Sequence, residues 1–281
     1  MKKNLLIVVI LAVCSIEMVK GQTVADSLAI VSACWKIENF QKGIVYKYAS
    51  IPQLYQGPQS ISLIEIDPVA GLKVGVAVSD KMKETSKIAS EYNAIAAING
   101  SYFDMKRGNS VCFLKADRQI IDTTMQSEFK LRVTGAINVR KGKIKLIPWS
   151  KQIEKEYEGE TGMVLASGPL MLKDGQICDW NSCGANFIRT KHPRSAVATT
   201  KEGKILLITV DGRFPEQAEG VNIPELAHLI RILGGEDALN LDGGGSTTLW
   251  LSGASDDGVV NYPCDNGRFD HAGERKVPNI H

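Results

Sequence analysis

Hydrophobic and polar residues along this chain alternate in short runs separated by glycine-containing corners. "SISLIEID" (60–67) and "LKVGVAVS" (72–79) flank the turn "PVAG", and the pattern predicts a hairpin. "AINVRKGKIKLIP" (136–148) alternates on both sides of Lys141-Gly142, and "SAVATTKEGKILLITVDG" (195–212) does so around Glu202-Gly203. "MVLASGPLMLKDGQIC" (163–178) reads as two further strands.

Two stretches break the alternation with helical spacing. "SDKMKETSKIASEYN" (79–93) has Ser79 placed to cap a helix. "NIPELAHLIRILGG" (222–235) sets Ile223, Leu226, Ala227, Ile230 and Leu233 on one stripe, with Asn222 as cap, Pro224 in the first turn and Gly234-Gly235 as a stop. Each helix runs into a short apolar strand, "AIAAI" or "ALNL", and each strand ends in a polar glycine turn, "NGSYFD" or "DGGGST". The expected fold class is α+β, with largely antiparallel sheets and a few helices forming a surface cavity at strand ends. Residues 22–281 are expected to be one domain.

Composition narrows the function classes. The 281 residues are 44% apolar and 23% charged, ordinary for a globular chain. A net charge of +2 without a dense Lys/Arg run argues against nucleic acid or an anionic membrane as the main partner. At the N-terminus, Lys2 and Lys3 precede a short apolar run from Leu5 to Val13, with small residues near Gly21. This is the pattern of a signal peptide over 1–21, too short to span a bilayer, so an exported protein is expected. A lipid anchor at Cys14 fits poorly, because Val13 is not small. Five further cysteines remain, Cys34, Cys112, Cys178, Cys183 and Cys264, and the short loop "CDWNSC" makes Cys178–Cys183 the candidate disulfide. The four scattered histidines and single close cysteine pair do not make a zinc site, and no metal or cofactor is expected.

Three polar stretches could carry chemistry. Asn99 and Gly100 are either a tight turn or a polar cluster facing a pocket. Arg194 and the Asp211-Gly212-Arg213 run fall at neighbouring ends of one hairpin, as a surface ion-pair set or as a phosphate site suited to guanidinium geometry. The run Asp242, Gly243, Gly244, Gly245, Ser246, Thr247 lacks a P-loop lysine and leads into a strand, so it is not a dinucleotide fingerprint. What it offers is main chain that a sugar or phosphate can approach closely, unless the glycines are a structural corner.

As an ordered set, "AAINGSYFD", "SGPLMLKDG", "HPRSAVATTKEGKILLITVDGR", "NIPELAHLIRILGGEDALNLDGGGSTTLW" and "ERKVPNI" resemble the phosphodiester glycosidase family over residues 60–280 or so. The resemblance implies hydrolysis of a sugar-1-phosphodiester, such as an N-acetylglucosamine-1-phosphate-linked glycan, on the glycosidic side. In the cavity it implies, Asp242 and Asp211 are the available carboxylate pair, so the chemistry assigns catalysis to Asp242 as nucleophile or base, to Asp211 as its partner and to Arg194 as bound positive charge. Asn99, Gly100, Arg213, Gly243, Gly244, Gly245, Ser246 and Thr247 would bind substrate. Leu249 and Trp250 after the threonine pair depart from the pattern. The animal member's extra modules and membrane anchor are not expected here, so its glycoprotein substrate is not carried over. The implied partner is a phosphodiester-containing glycan, as for bacterial exopolysaccharide-associated relatives. Two rivals share the same residues, a phosphodiesterase cutting the P–O bond and a phosphoglycan-binding module without catalysis.

Overall fold

The computed structural model describes residues 23–68, 71–116, 118–157 and 162–281. The expected signal peptide and Cys14 lie outside them. Helix α1 (Val24–Val31) is followed by the strands β1 (Lys36–Gln41), β2 (Ile44–Leu54) and β3 (Gly57–Ile66). Next come β4 (Ala77–Glu84), α2 (Thr85–Glu91), β5 (Ala96–Ile98), β6 (Leu114–Ala116), β7 (Gln119–Asp122) and α3 (Gln126–Leu131). The middle of the chain forms β8 (Gly135–Arg140), β9 (Lys143–Pro148), α4 (Lys151–Lys155), β10 (Met163–Ser167), β11 (Leu170–Lys173), β12 (Gln176–Ile177) and α5 (Ala185–Arg189). The last part contributes β13 (Arg194–Thr200), β14 (Ile205–Val210), α6 (Ile223–Ile232), β15 (Gly235–Asn240), β16 (Leu249–Leu251) and β17 (Lys276–Ile280).

An eight-stranded sheet in the order β1-β2-β3-β14-β13-β15-β11-β12 is the centre of this α+β fold. Its inner strands read as unbroken apolar runs because both faces are covered. On β14, Leu206, Ile208 and Val210 pack with α1 and α6, whereas Ile205 and Leu207 pack with Ile137, Val139 and Leu165 of a five-stranded sheet, β7-β6-β10-β8-β9. The far face of that second sheet buries Ala136 and Val164 against Phe113 and Trp149. Two small pairs, β16-β5 and β17-β4, complete the set, and every strand pair named here is antiparallel.

Several expected elements form as read. Lys141 and Gly142 join β8 to β9 with φ of 51° and 72°, the left-handed pair a two-residue hairpin favours. Asn222 caps α6 in a reciprocal box with Glu225, and Pro224 sits in its first turn.

Other expectations are corrected. β3 does not form a hairpin with β4: β3 pairs with β2 and β14, and β4 with β17. Alternation marks a strand but not its partner, and β3 is covered by its sequence neighbour β2 on one edge and by the distant β14 on the other. Ser79 caps nothing, because Ala77–Glu84 is strand and the helix begins at Thr85. β10 and β11 do form as the two strands read over 163–178, each in a different sheet, and β12 follows them. Cys178 and Cys183 are both free thiols. Cys178 packs into the cluster on one face of the eight-stranded sheet and Cys183 into the cluster on the other, so their side chains point apart.

Candidate active site

The two glycine turns meet. Asp242 N–H donates to the Gly100 carbonyl at 3.1 Å, and Asn99 Nδ2 donates to the Asp242 carbonyl at 2.7 Å. Asn99 Oδ1 accepts from Ser195 Oγ at 2.6 Å and from Thr248 N–H at 3.1 Å. Asn99 is fully buried and its amide ties β5, β13 and β16 to the Asp242 turn. A side chain at Gly100 would collide with Asn279, so glycine is needed there for close packing.

Residues 244–246 form one turn of 3₁₀ helix that swings the chain from β15 towards β16. A Cβ on Gly243 would stand 2.5 Å from the Pro193 carbonyl oxygen, which Gly244 N–H uses as its acceptor at 2.8 Å. Gly244 has φ of +62°, and a Cβ there would stand 2.9 Å from Arg213 Nη2. Gly245 lies under the Arg275–Asp265 ion pair, in which Arg275 Nε donates to Asp265 Oδ1 at 2.9 Å.

Asp242 is half-buried: protein crowds it closely, yet part of its surface stays open. Burial pushes its carboxyl above the usual range, opposed by the Ser246 hydroxyl, by Arg132 and Arg275, and by Gly243 N–H. Four guanidinium groups therefore cluster at this turn. Arg132, held by Glu128 at 2.7 Å, stacks 3.5 Å from the Tyr102 ring centre. Arg213 is exposed and reaches across Gly244 towards Cys264 Sγ at 3.7 Å. Arg275 is half-buried beside Gly245.

Arg194 differs from the other three. Only 2% exposed, it donates from Nε to Val221 and from Nη2 to Phe187 and Thr190, all backbone carbonyls at 2.9–3.1 Å. Desolvation lowers its pKa to about 10. Among the described residues only Nη1 lacks a partner, so Arg194 brings fixed charge rather than a free fork. His192 sits nearby, its pKa pushed below the usual range by desolvation and then by Arg194 and Arg213.

The expected site residues thus fall into two groups. Asp242, Gly243, Gly244 and Arg213 are accessible. Asn99, Gly100, Arg194, Gly245, Ser246 and Thr247 are buried behind them, with Thr247 Oγ1 lacking a hydrogen-bond partner among the described residues.

Asp211 stands apart as a correction to its expected place beside Asp242. It is 0% exposed, and its carboxylate accepts from Ser60 Oγ at 2.7 Å, Asn261 Nδ2 at 2.8 Å and Tyr262 N–H at 3.0 Å. Burial lifts its pKa to about 6. The titratable side chain beside it is His271 rather than Asp242. A carboxylate enclosed by three donors in this way holds main chain in place.

The expected set does not include Arg132, Glu128 or His192, and holds Arg275 only within the motif "ERKVPNI". No local pattern marks these residues, and only the fold brings them to Asp242. Among the described residues there is no group of three or more His, Cys, Asp or Glu that could hold a metal ion, and no helix is long and apolar enough to cross a membrane.

The mouse and human N-acetylglucosamine-1-phosphodiester alpha-N-acetylglucosaminidases are each 24% identical to this chain, over 185 and 202 residues. Those matches cover 60% and 66% of this chain but only 33% and 36% of the relatives, so the chain spans about a third of their length. The fold is similar to the zebrafish N-acetylglucosamine-1-phosphodiester alpha-N-acetylglucosaminidase catalytic domain auto-inhibited by its pro-peptide, with a TM-score of 0.64 at 20% identity, covering 86% of this chain and 84% of that one. A hypothetical protein from Synechocystis is similar at a TM-score of 0.62 and 15% identity, over 88% of this chain and 63% of that one. Residues 92–281 match the phosphodiester glycosidase family along their length, and by that match the chain belongs to it.

Proposed function

We propose that residues 22–281 act as one exported domain that hydrolyses the C–O bond of a sugar-1-phosphodiester, releasing free sugar and a phosphate monoester. The observation that carries this reading is a half-buried carboxylate, Asp242, on an open glycine edge among Arg132, Arg194, Arg213 and Arg275. Glycosidases ordinarily use two carboxyl groups, one of them to protonate the leaving oxygen. A phosphate leaving group is a weak base and needs charge stabilisation more than a proton, and preorganised guanidinium donors supply that. One carboxylate at the anomeric carbon is then sufficient, and Asp242 takes that role as nucleophile or as base towards water. Gly243 and Gly244 let the sugar approach the main chain, while Asp211 and Asn99 keep the surrounding segments in register.

The relatives' names favour an N-acetylglucosamine-1-phosphodiester as substrate. The test is incubation with N-acetylglucosamine-1-phospho-mannose in ¹⁸O-water. Label in free N-acetylglucosamine supports C–O cleavage. Label in phosphate moves the chemistry to phosphorus, and saturable binding without turnover identifies a binding module.

A further inference from the structure

A cavity of about 460 Å³ opens between the β1–β2 ribbon and residues 251–262, without Asp242 or any of the four arginines in its lining. Its size falls within the roughly 300–1,000 Å³ typical of small-molecule sites. The register builds one wall. Pairing of β1 with β2 sets Lys36 opposite Tyr48 and Glu38 opposite Tyr46, so charged and aromatic side chains share one face. Lys36 Nζ lies 5.8 Å from the Tyr48 ring centre.

The other wall includes Tyr262 and His271, which stack at 4.3 Å and 30°, with Tyr48 6.2 Å from Tyr262. Phe269, outside the lining, stacks on Tyr262 at 4.1 Å and 11°. His271 Nδ1 donates to the Asn261 carbonyl at 2.6 Å, which leaves Nε2 as an acceptor in the neutral ring. Tyr46 OH donates to the Val260 carbonyl at 2.8 Å.

These features describe the ligand. Aromatic surface beside hydroxyl and imidazole groups suits a molecule with apolar C–H faces and a rim of hydroxyls. Lys36 and Glu38 together add no net charge, in contrast to the cationic surroundings of Asp242, so an anion gains little here. A neutral pyranose has that combination. The aromatic row also continues towards the arginines: Phe269 meets Phe214 at 5.3 Å, and Phe214 follows Arg213, which overlies Gly244.

We propose that this cavity is a glycan-anchoring site for an uncharged sugar unit, and that it holds the chain whose phosphodiester reaches Asp242. The second half of that statement rests on the proposed function; the binding of a neutral sugar does not. Saturation-transfer NMR on the purified protein tests it with cellotetraose, chitotetraose, maltotetraose and mannotetraose at millimolar concentration. At least one should show transfer. Glu38→Ala, on an exposed edge strand, and Tyr48→Ala should each weaken that binding by about tenfold, the loss of one good contact. Asp242→Asn should leave it unchanged, and Tyr48→Ala should leave the hydrolysis of a short phosphodiester substrate unchanged. No transfer from any of the four sugars would overturn the proposal, as would binding indifferent to both cavity variants or abolished by Asp242→Asn. Sugar binding with the expected pattern in a protein that hydrolyses nothing would uphold the anchoring site and remove the catalytic reading instead.

Discussion

Asp242 and Asp211 are both aspartates at strand ends, and their surroundings separate them. Asp242 must be ionised to act at an anomeric carbon, and burial raises its pKa. The acid limb of kcat/KM is therefore expected above the ordinary aspartate range near 3.9. Asp242→Asn should lower turnover by about 10³-fold or more, as loss of a nucleophile or base does. An acid limb that stays below pH 4, or near-normal turnover in the variant, would remove Asp242 from the chemistry.

For Asp211 the effect is on stability. Its folded pKa of about 6 lies above the ordinary aspartate value of about 3.9, so the folded chain holds that proton more tightly. The associated stability is complete below about pH 4 and is lost as pH rises through 6, amounting to roughly 3 kcal/mol. Asp211→Asn keeps an acceptor for Asn261 and Tyr262, and the Ser60 hydroxyl can turn to accept. Urea unfolding should show the wild type losing about 2 kcal/mol against this variant between pH 4 and 7. The variant's turnover should remain within about fivefold, the reverse of the Asp242 result. Both aspartates stood out in the sequence for the same reason, an acidic residue before glycine at a strand end. Only the three enclosing donors distinguish them, and Ser60 is 151 positions from Asp211 in the chain.

Elements whose signals are local could be read directly. In α6 the apolar stripe, the Asn222 cap and Pro224 agree, and the structure forms Ile223–Ile232. Asn222→Ala should cost about 1 kcal/mol, seen as a lower urea midpoint with an unchanged slope. The Lys141-Gly142 hairpin was legible for the same reason. By contrast, β1 is almost wholly exposed at the sheet edge, so it lacks the apolar alternation that marks a strand. The partners of β3 and β4 were not legible either, because β14 and β17 lie more than a hundred residues further along. The Gly244 turn was legible as unusual but not in its purpose. Gly244→Ala should cost about 1–2 kcal/mol for its left-handed backbone and should raise KM by displacing Arg213. A variant with wild-type KM and stability would show that turn to be tolerant.

At the scale of the molecule, the two sheets approach so closely that one position in β8 has no room for a side chain. A Cβ on Gly135 would stand 2.5 Å from Leu239 Cδ1 and 3.1 Å from Leu170 Cβ, both on the eight-stranded sheet. Gly135→Ala should destabilise by about 1–3 kcal/mol through overpacking, measured by thermal or urea unfolding. Leu239 belongs to β15, the strand that delivers Asp242, so the same variant should also lower turnover.

The guanidinium groups around Asp242 come from positions 132, 194, 213 and 275, and this arrangement sets an order in time. At about 5–20 residues per second of synthesis, the aspartate and its glycines emerge some seconds before Arg275. During that interval the carboxylate lacks one of its counter-charges, and β17, which follows directly after Arg275, has not yet paired with β4. A growing chain therefore carries every letter of its glycine turn without a working pocket. The pocket is complete only once synthesis has passed Arg275 and the last strand has docked.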